Sequence, residues 1–156
     1  MRLTTYTDYS LRTMMYLAVK SERLATIADI SSAYGISENH LMKIVHQLGQ
    51  AGFIETVRGR RGGLRLARPP DQINLGVIVR KMEPDLEIAP CFGQVDSCAI
   101  APCCGLQHVL KEALEAFLEI LDRYTLADLI RSPIQLATLL DVASEGRKHD
   151  VATATR

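Results

Sequence analysis

Residues 26 to 68 constrain the fold of this chain more than any other stretch. Thr26-Ile27-Ala28-Asp29 has the form of a capping box with Asp in place of Glu, and the short helix it opens can end in a left-handed turn at Gly35. Ser37 then caps a second helix from about 38 to 51, with Leu41, Ile44, Val45 and Leu48 facing inward and Gly52 as its stop. Two short helices joined by a glycine turn make a helix-turn-helix. Directly after it, residues 53–57 and 64–67 flank Arg58-Gly59-Arg60-Arg61-Gly62-Gly63, which predicts a β-hairpin with a glycine-rich tip, a wing.

The remaining segments read as helical support for this head. An N-cap at Thr7-Asp8 and the apolar positions Tyr9, Leu11, Met14, Met15, Leu17 and Ala18 predict a buried first helix to about residue 19. Pro69-Pro70 breaks the chain, and Asn74 opens a short helix through Met82. From about 105 to 124, Leu106, Val109, Leu110, Ala113, Phe117, Ile120, Leu121 and Tyr124 recur at helical spacing opposite Lys111, Glu112, Glu115, Glu119 and Asp122. About twenty helical residues span about 30 Å, more than so small a head can cover, so the exposed stripe is expected to pair with a second copy in a homodimer. Thr125 with Asp128 repeats the capping pattern, and one more helix is expected at about 133–142. The expected fold is therefore mainly α with a small β-hairpin, a winged helix-turn-helix plus a long dimerisation helix. Its divisions fall at 1–82 for the DNA-binding head, 83–104 for a cysteine loop, 105–143 for the long helix and short helices, and 144–156 for a disordered tail. Met14, Met15, Met42 and Met82 sit in apolar stripes and read as core rather than as metal ligands.

Net charge is zero, but it is unevenly placed. Residues 1–80 carry eleven Lys or Arg against six Asp or Glu, a balance of +5, which leaves −5 for residues 81–156. Between Arg58 and Arg68 lie five arginines and no acid, while three glycines let the backbone approach a phosphate or a narrow minor groove. On the helix before the wing, Ser37, Glu38, Asn39, His40, Lys43, His46 and Gln47 are not needed for the core. Taken alone, such a set fits a solvated helical face as well as a major-groove reader. The adjoining wing, with Arg58, Arg60, Arg61 and Arg65, tips the balance to double-stranded DNA bound with strong salt dependence. Charged Arg2, Asp8, Arg12 and Lys20 interrupt residues 1–20, so no signal peptide or membrane span is expected there, and the expected location is cytoplasmic.

All four cysteines lie between positions 91 and 104. Cytoplasmic thiols seldom form a structural disulfide framework, so metal binding or redox chemistry leads. Cys91, Cys98 and Cys104 give C-x6-C-x5-C, with Cys104 at a helix start where the dipole favours negative charge, and Cys103 is read as the spare. Structural zinc prefers paired C-x(2-4)-C knuckles, so spacing ranks an iron-sulfur cluster first, zinc second and a reactive thiol switch third. His108, one turn past Cys104, is near enough to join such a centre, although a surface histidine is the commoner role.

Several stretches carry a specific resemblance: Met1-Arg2-Leu3-Thr4 with Thr7-Asp8-Tyr9, the run from Tyr34 to Ile44, Gly52-Phe53-Ile54, Val57-Arg58-Gly59 and Gly62-Gly63. Over nearly all of residues 1–142 the chain resembles the iron-sulfur winged-helix repressors that include IscR, NsrR and RirA. Met82-Glu83-Pro84 and the run from Tyr124 to Leu129 resemble the nitric-oxide-sensing NsrR branch most. The resemblance implies Cys91, Cys98 and Cys104 as cluster ligands, with Asp8 of the partner subunit as the fourth; by itself Asp8 reads as an ordinary acid near a helix start. It favours a 4Fe-4S cluster, with 2Fe-2S as the alternative. In the IscR branch the fourth ligand is a histidine at the position held here by Gln107. The implied function is a repressor of a palindromic operator that lets go when nitric oxide damages the cluster. The alternatives are iron or oxidant sensing on the same fold and, in another class, an electron carrier without DNA binding. No nucleotide-binding glycine fingerprint or nucleophile-base set points to an enzyme.

Overall fold

The computed structural model describes residues 2–20, 22–92, 100 and 103–140. The expected tail at 144–156 and Cys98 lie outside these. Helix α1 spans Thr5–Val19, α2 Ile27–Tyr34 and α3 Glu38–Gln50, followed by the antiparallel strands β1 Ile54–Val57 and β2 Gly63–Leu66. Helix α4 covers Leu75–Met82, α5 Gly105–Asp122, α6 Leu126–Leu129 and α7 Pro133–Leu139. Short 3-10 turns at Pro70–Gln72 and Pro90–Phe92 occupy stretches that read from sequence as breaks or loop. No helix among the described residues is long and apolar enough to cross a membrane.

Local chemistry sets most boundaries. Thr26 and Asp29 form the reciprocal capping box, Gly35 closes α2 at φ 65°, and Ser37 Oγ accepts from the His40 N–H at 3.3 Å. Helix α1 starts earlier than expected. Its cap is Thr4, whose hydroxyl accepts from the Thr7 N–H at 3.3 Å, not Thr7-Asp8. Thr7, Ser10 and Thr13 are fully buried on α1, at positions the apolar pattern did not mark. Ser10 and Thr13 satisfy their hydroxyls locally by donating to the carbonyls of Tyr6 and Tyr9, so they can face the core without another partner.

The core gathers Met14 and Leu17 of α1, Ile30 of α2, Leu41, Ile44 and Leu48 of α3, Leu64 of the wing and Ile78 and Met82 of α4. Leu126 and Leu140 belong to the same cluster, so the chain returns to the head after α5. Of the four methionines read as core, Met42 departs, being 50% exposed, whereas Met14 and Met82 are buried and Met15 packs partly buried against the core. Beneath the wing, Ala25 and Leu64 exchange backbone hydrogen bonds at 3.0 and 2.7 Å, fastening the hairpin to the segment before α2. Gly63 makes this seam possible, because a Cβ there would lie 2.7 Å from the Ala25 carbonyl oxygen.

Candidate nucleic-acid interface and cysteine site

Helix α3 buries Leu41, Ile44, Val45 and Leu48, and its period of 3.6 turns the other positions outward. Ser37, Glu38, Asn39, His40, Lys43 and His46 are exposed and Gln47 is partly buried, so the predicted reading residues share the outward side of α3 together with the exposed Met42. In the wing tip the Gly62 N–H donates to the Gly59 carbonyl at 2.9 Å, and Gly59 takes φ 118°. This tight turn leaves Arg58, Arg60 and Arg61 exposed. Arg65 differs from them. It sits opposite Glu55 in the ladder and donates through Nε and Nη2 to Glu55 Oε2 at 2.9 and 2.7 Å, so its charge is locally balanced.

Beyond the head, the structure ties the backbone at Cys91 to the first turn of the helix that Cys104 caps; among the described residues no three potential ligands come together around one metal position. Cys91 lies in the 3-10 turn Pro90–Phe92, and Cys104 is the N-cap of α5 without a side-chain cap bond. Gln107 Nε2, in the first turn of α5, donates to the Cys91 carbonyl at 3.0 Å and ties the two together. Cys91 and Cys104 are partly buried, whereas Cys103 is exposed and its thiol donates to the Ile100 carbonyl at 3.5 Å. His108 is exposed, and it is Gln107 that does the positioning. Partly sheltered free thiols beside a helix start are soft donors of the kind an iron-sulfur cluster takes, while Cys98 lies outside the described residues. Asp8, on α1, pairs with Arg12 Nε at 2.9 Å.

The chain belongs with known transcription regulators over almost its full length. The family profile described as "Rrf2: Iron-dependent Transcriptional regulator" matches residues 3–132. This chain is a member of the Rrf2 family. The protein of Bacillus licheniformis named HTH-type transcriptional regulator NsrR is 49% identical over 142 residues, covering 90% of this chain and 99% of that protein. Its namesake in Bacillus subtilis is 50% identical, covering 90% of this chain and 97% of that protein. Among solved structures, CymR of B. subtilis superposes with TM-score 0.67 at 28% identity, covering 83% of this chain and 95% of that one. IscR of T. potens gives TM-score 0.66 at 28% identity, covering 84% and 87%. The fold is the expected winged helix-turn-helix of a transcription regulator.

Two long-range ties in this Rrf2 chain had no signature in the sequence. From the N-cap of α4, Asn74 Nδ2 donates to the Asp122 carbonyl at 2.6 Å, and Arg80, further along the helix, grips the Asp122 carboxylate through both terminal nitrogens at 2.6 and 2.7 Å. The hydrogen bonds from Arg80 hold the Asp122 carboxyl below its ordinary value. The pair lies over Gly76, where a Cβ would collide with Asp122 Oδ1 and push the two side chains aside. At the other end of α4, Glu83 reaches back to the first turn of α1 and bonds Thr4 and Thr7. The Asn74 cap and the apolar pattern of α4 were visible in sequence; neither long-range anchor was.

Proposed function

We propose that this Rrf2 chain is a homodimeric, iron-sulfur-dependent repressor that releases its operator on exposure to nitric oxide. Residues 1–82 serve as the DNA-binding head, 83–104 as the loop that holds the cluster, and α5 as the dimerisation helix. The Gln107–Cys91 tie carries the proposal, because it brings Cys91 to the helix end where Cys104 sits, directly after the loop that starts at the head. Cys91, Cys98 and Cys104 hold the cluster, 4Fe-4S in preference to 2Fe-2S, and Asp8 of the partner subunit supplies the fourth ligand. When bound, the cluster supplies iron that reacts with nitric oxide. The likeness to proteins named NsrR favours nitric oxide as the signal.

The chain's own residues account for the DNA side. The outward face of α3 enters the major groove, and Arg58, Arg60 and Arg61 reach the backbone or the minor groove beside it. Two heads on a palindromic operator must stand about 34 Å apart, a spacing set by how α5 joins the protomers. Helix α5 suits that task because Leu106, Val109 and Ile120 are 64%, 58% and 52% exposed. Gel shifts with cluster-loaded, cluster-free and nitric-oxide-treated protein test this function; tight binding by the loaded form alone is expected, and equal affinity in all three overturns it.

The family description "Iron-dependent Transcriptional regulator" favours a second signal, iron supply, on the same architecture. Titrating loaded protein separately with a chelator and with nitric oxide distinguishes the two. An electron carrier without a DNA role is tested by replacing Arg60 and Arg61 with Glu: operator binding should vanish while cluster absorbance stays.

A further inference from the structure

We infer that Glu83 is a positioning residue that transmits the state of the cysteine loop to the DNA-binding head. The inference rests on the proposed cluster site but concerns a residue outside its ligand set. Glu83 caps the C-terminal end of α4 and begins the loop that leads to Cys91. Its two carboxylate oxygens each accept from the Thr4 N–H at 3.2 Å, and Oε2 also accepts from the hydroxyls of Thr4, at 3.2 Å, and Thr7. Both oxygens are therefore engaged by the first turn of α1. Thr7 is fully buried, so this turn cannot move without disturbing the core.

The anchor has a direct mechanical consequence. Helix α1 packs on α3, which presents the DNA-facing helix residues, and against β2, the strand that follows the arginine-bearing wing tip. A displacement of the loop pulls on Glu83, Glu83 pulls on Thr4 and Thr7, and α1 carries the shift to α3. The negative carboxylate at the positive end of α1 strengthens the link, since charged hydrogen bonds are shorter and stronger than neutral ones. Asp8 follows Thr7 directly, so the same turn also fixes where Asp8 is offered to the partner subunit.

Glu83→Gln keeps the shape but weakens the acceptor, and Thr7→Val removes one hydroxyl without touching the loop. Operator affinity of loaded and cluster-free protein is measured by fluorescence anisotropy, and hydrogen exchange over residues 4–12 is followed in both forms. For the wild type we expect affinities at least about tenfold apart and loading-dependent exchange in the first turn of α1. Each variant should bring the two affinities within about threefold and abolish the exchange difference. Thr7→Ser, which keeps the hydroxyl, should behave as wild type. A merely structural Glu83 would lower both affinities together and leave their ratio and the exchange difference intact, which overturns the inference. If Glu83→Gln fails to fold, Thr7→Val decides by the same two readouts. If wild-type affinities do not differ, the proposed function fails on its own account, while the exchange comparison still decides whether Glu83 links loop and helix.

Discussion

Replacing Gly62 with alanine tests how the wing delivers its charge. A Cβ at Gly62 would overlap the Val57 carbonyl oxygen and lie 2.9 Å from the Gly59 carbonyl oxygen and 3.1 Å from the Arg58 carbonyl carbon, all backbone atoms that cannot rotate away. The turn closed by the Gly62–Gly59 hydrogen bond must open, and Arg60 and Arg61 leave their positions on both wings of a dimer. Each phosphate contact contributes a slope of about 0.9 to log K against log salt, so at 0.1 M salt each is worth about eightfold. Four lost contacts lower the slope by about 3.6 and the affinity by about four-thousandfold; partial displacement should still cost at least about thirtyfold. Folding stability should change by less than about 1 kcal/mol, because the tip is exposed and the core beneath is untouched, moving Tm by no more than about 4 °C. The assay is operator anisotropy across a salt series, with Arg60→Ala/Arg61→Ala as reference and thermal melts as control. Wild-type affinity and slope in Gly62→Ala would refute the idea that this turn presents the arginines.

Three further outcomes are expected. Val109→Glu with Ile120→Glu places charges at exposed α5 positions, so the head should fold normally while sedimentation shows monomers; a persisting dimer rules out this face as the interface. Cys104→Ser should abolish the visible absorbance of anaerobically purified protein and Cys103→Ser should retain it, and the reverse pattern would exchange their roles. The Thr125 N–H and hydroxyl hold the Asp128 carboxyl below its ordinary value of 3.8. A depressed carboxylate contributes stability that is complete above its unfolded value and lost as pH falls through its folded value, so melts from pH 5 to pH 2 should show a smaller decline in Asp128→Asn than in wild type.

How much of this protein its sequence determined follows from the range of the interactions. Both capping boxes, the left-handed Gly35 and the Asn74 cap rest on contacts three or four residues apart, and the wing pairs strands joined by one short turn, so each was legible because its partners are near in the chain. The outward set on α3 was legible for the same reason, since helical periodicity is local. Burial was only partly legible: Met42 was read as core but is half exposed, and the apolar pattern did not mark Ser10 and Thr13, whose hydroxyls, bonded to the preceding turn, allow them to be buried. What only tertiary structure decided is how distant parts are tied. Glu83 meets Thr4 across 79 positions, Arg80 meets Asp122 across 42, and Gln107 meets Cys91 across 16. Those pairings depend on how α1, α4 and α5 lie against one another, which no local pattern of residues encodes.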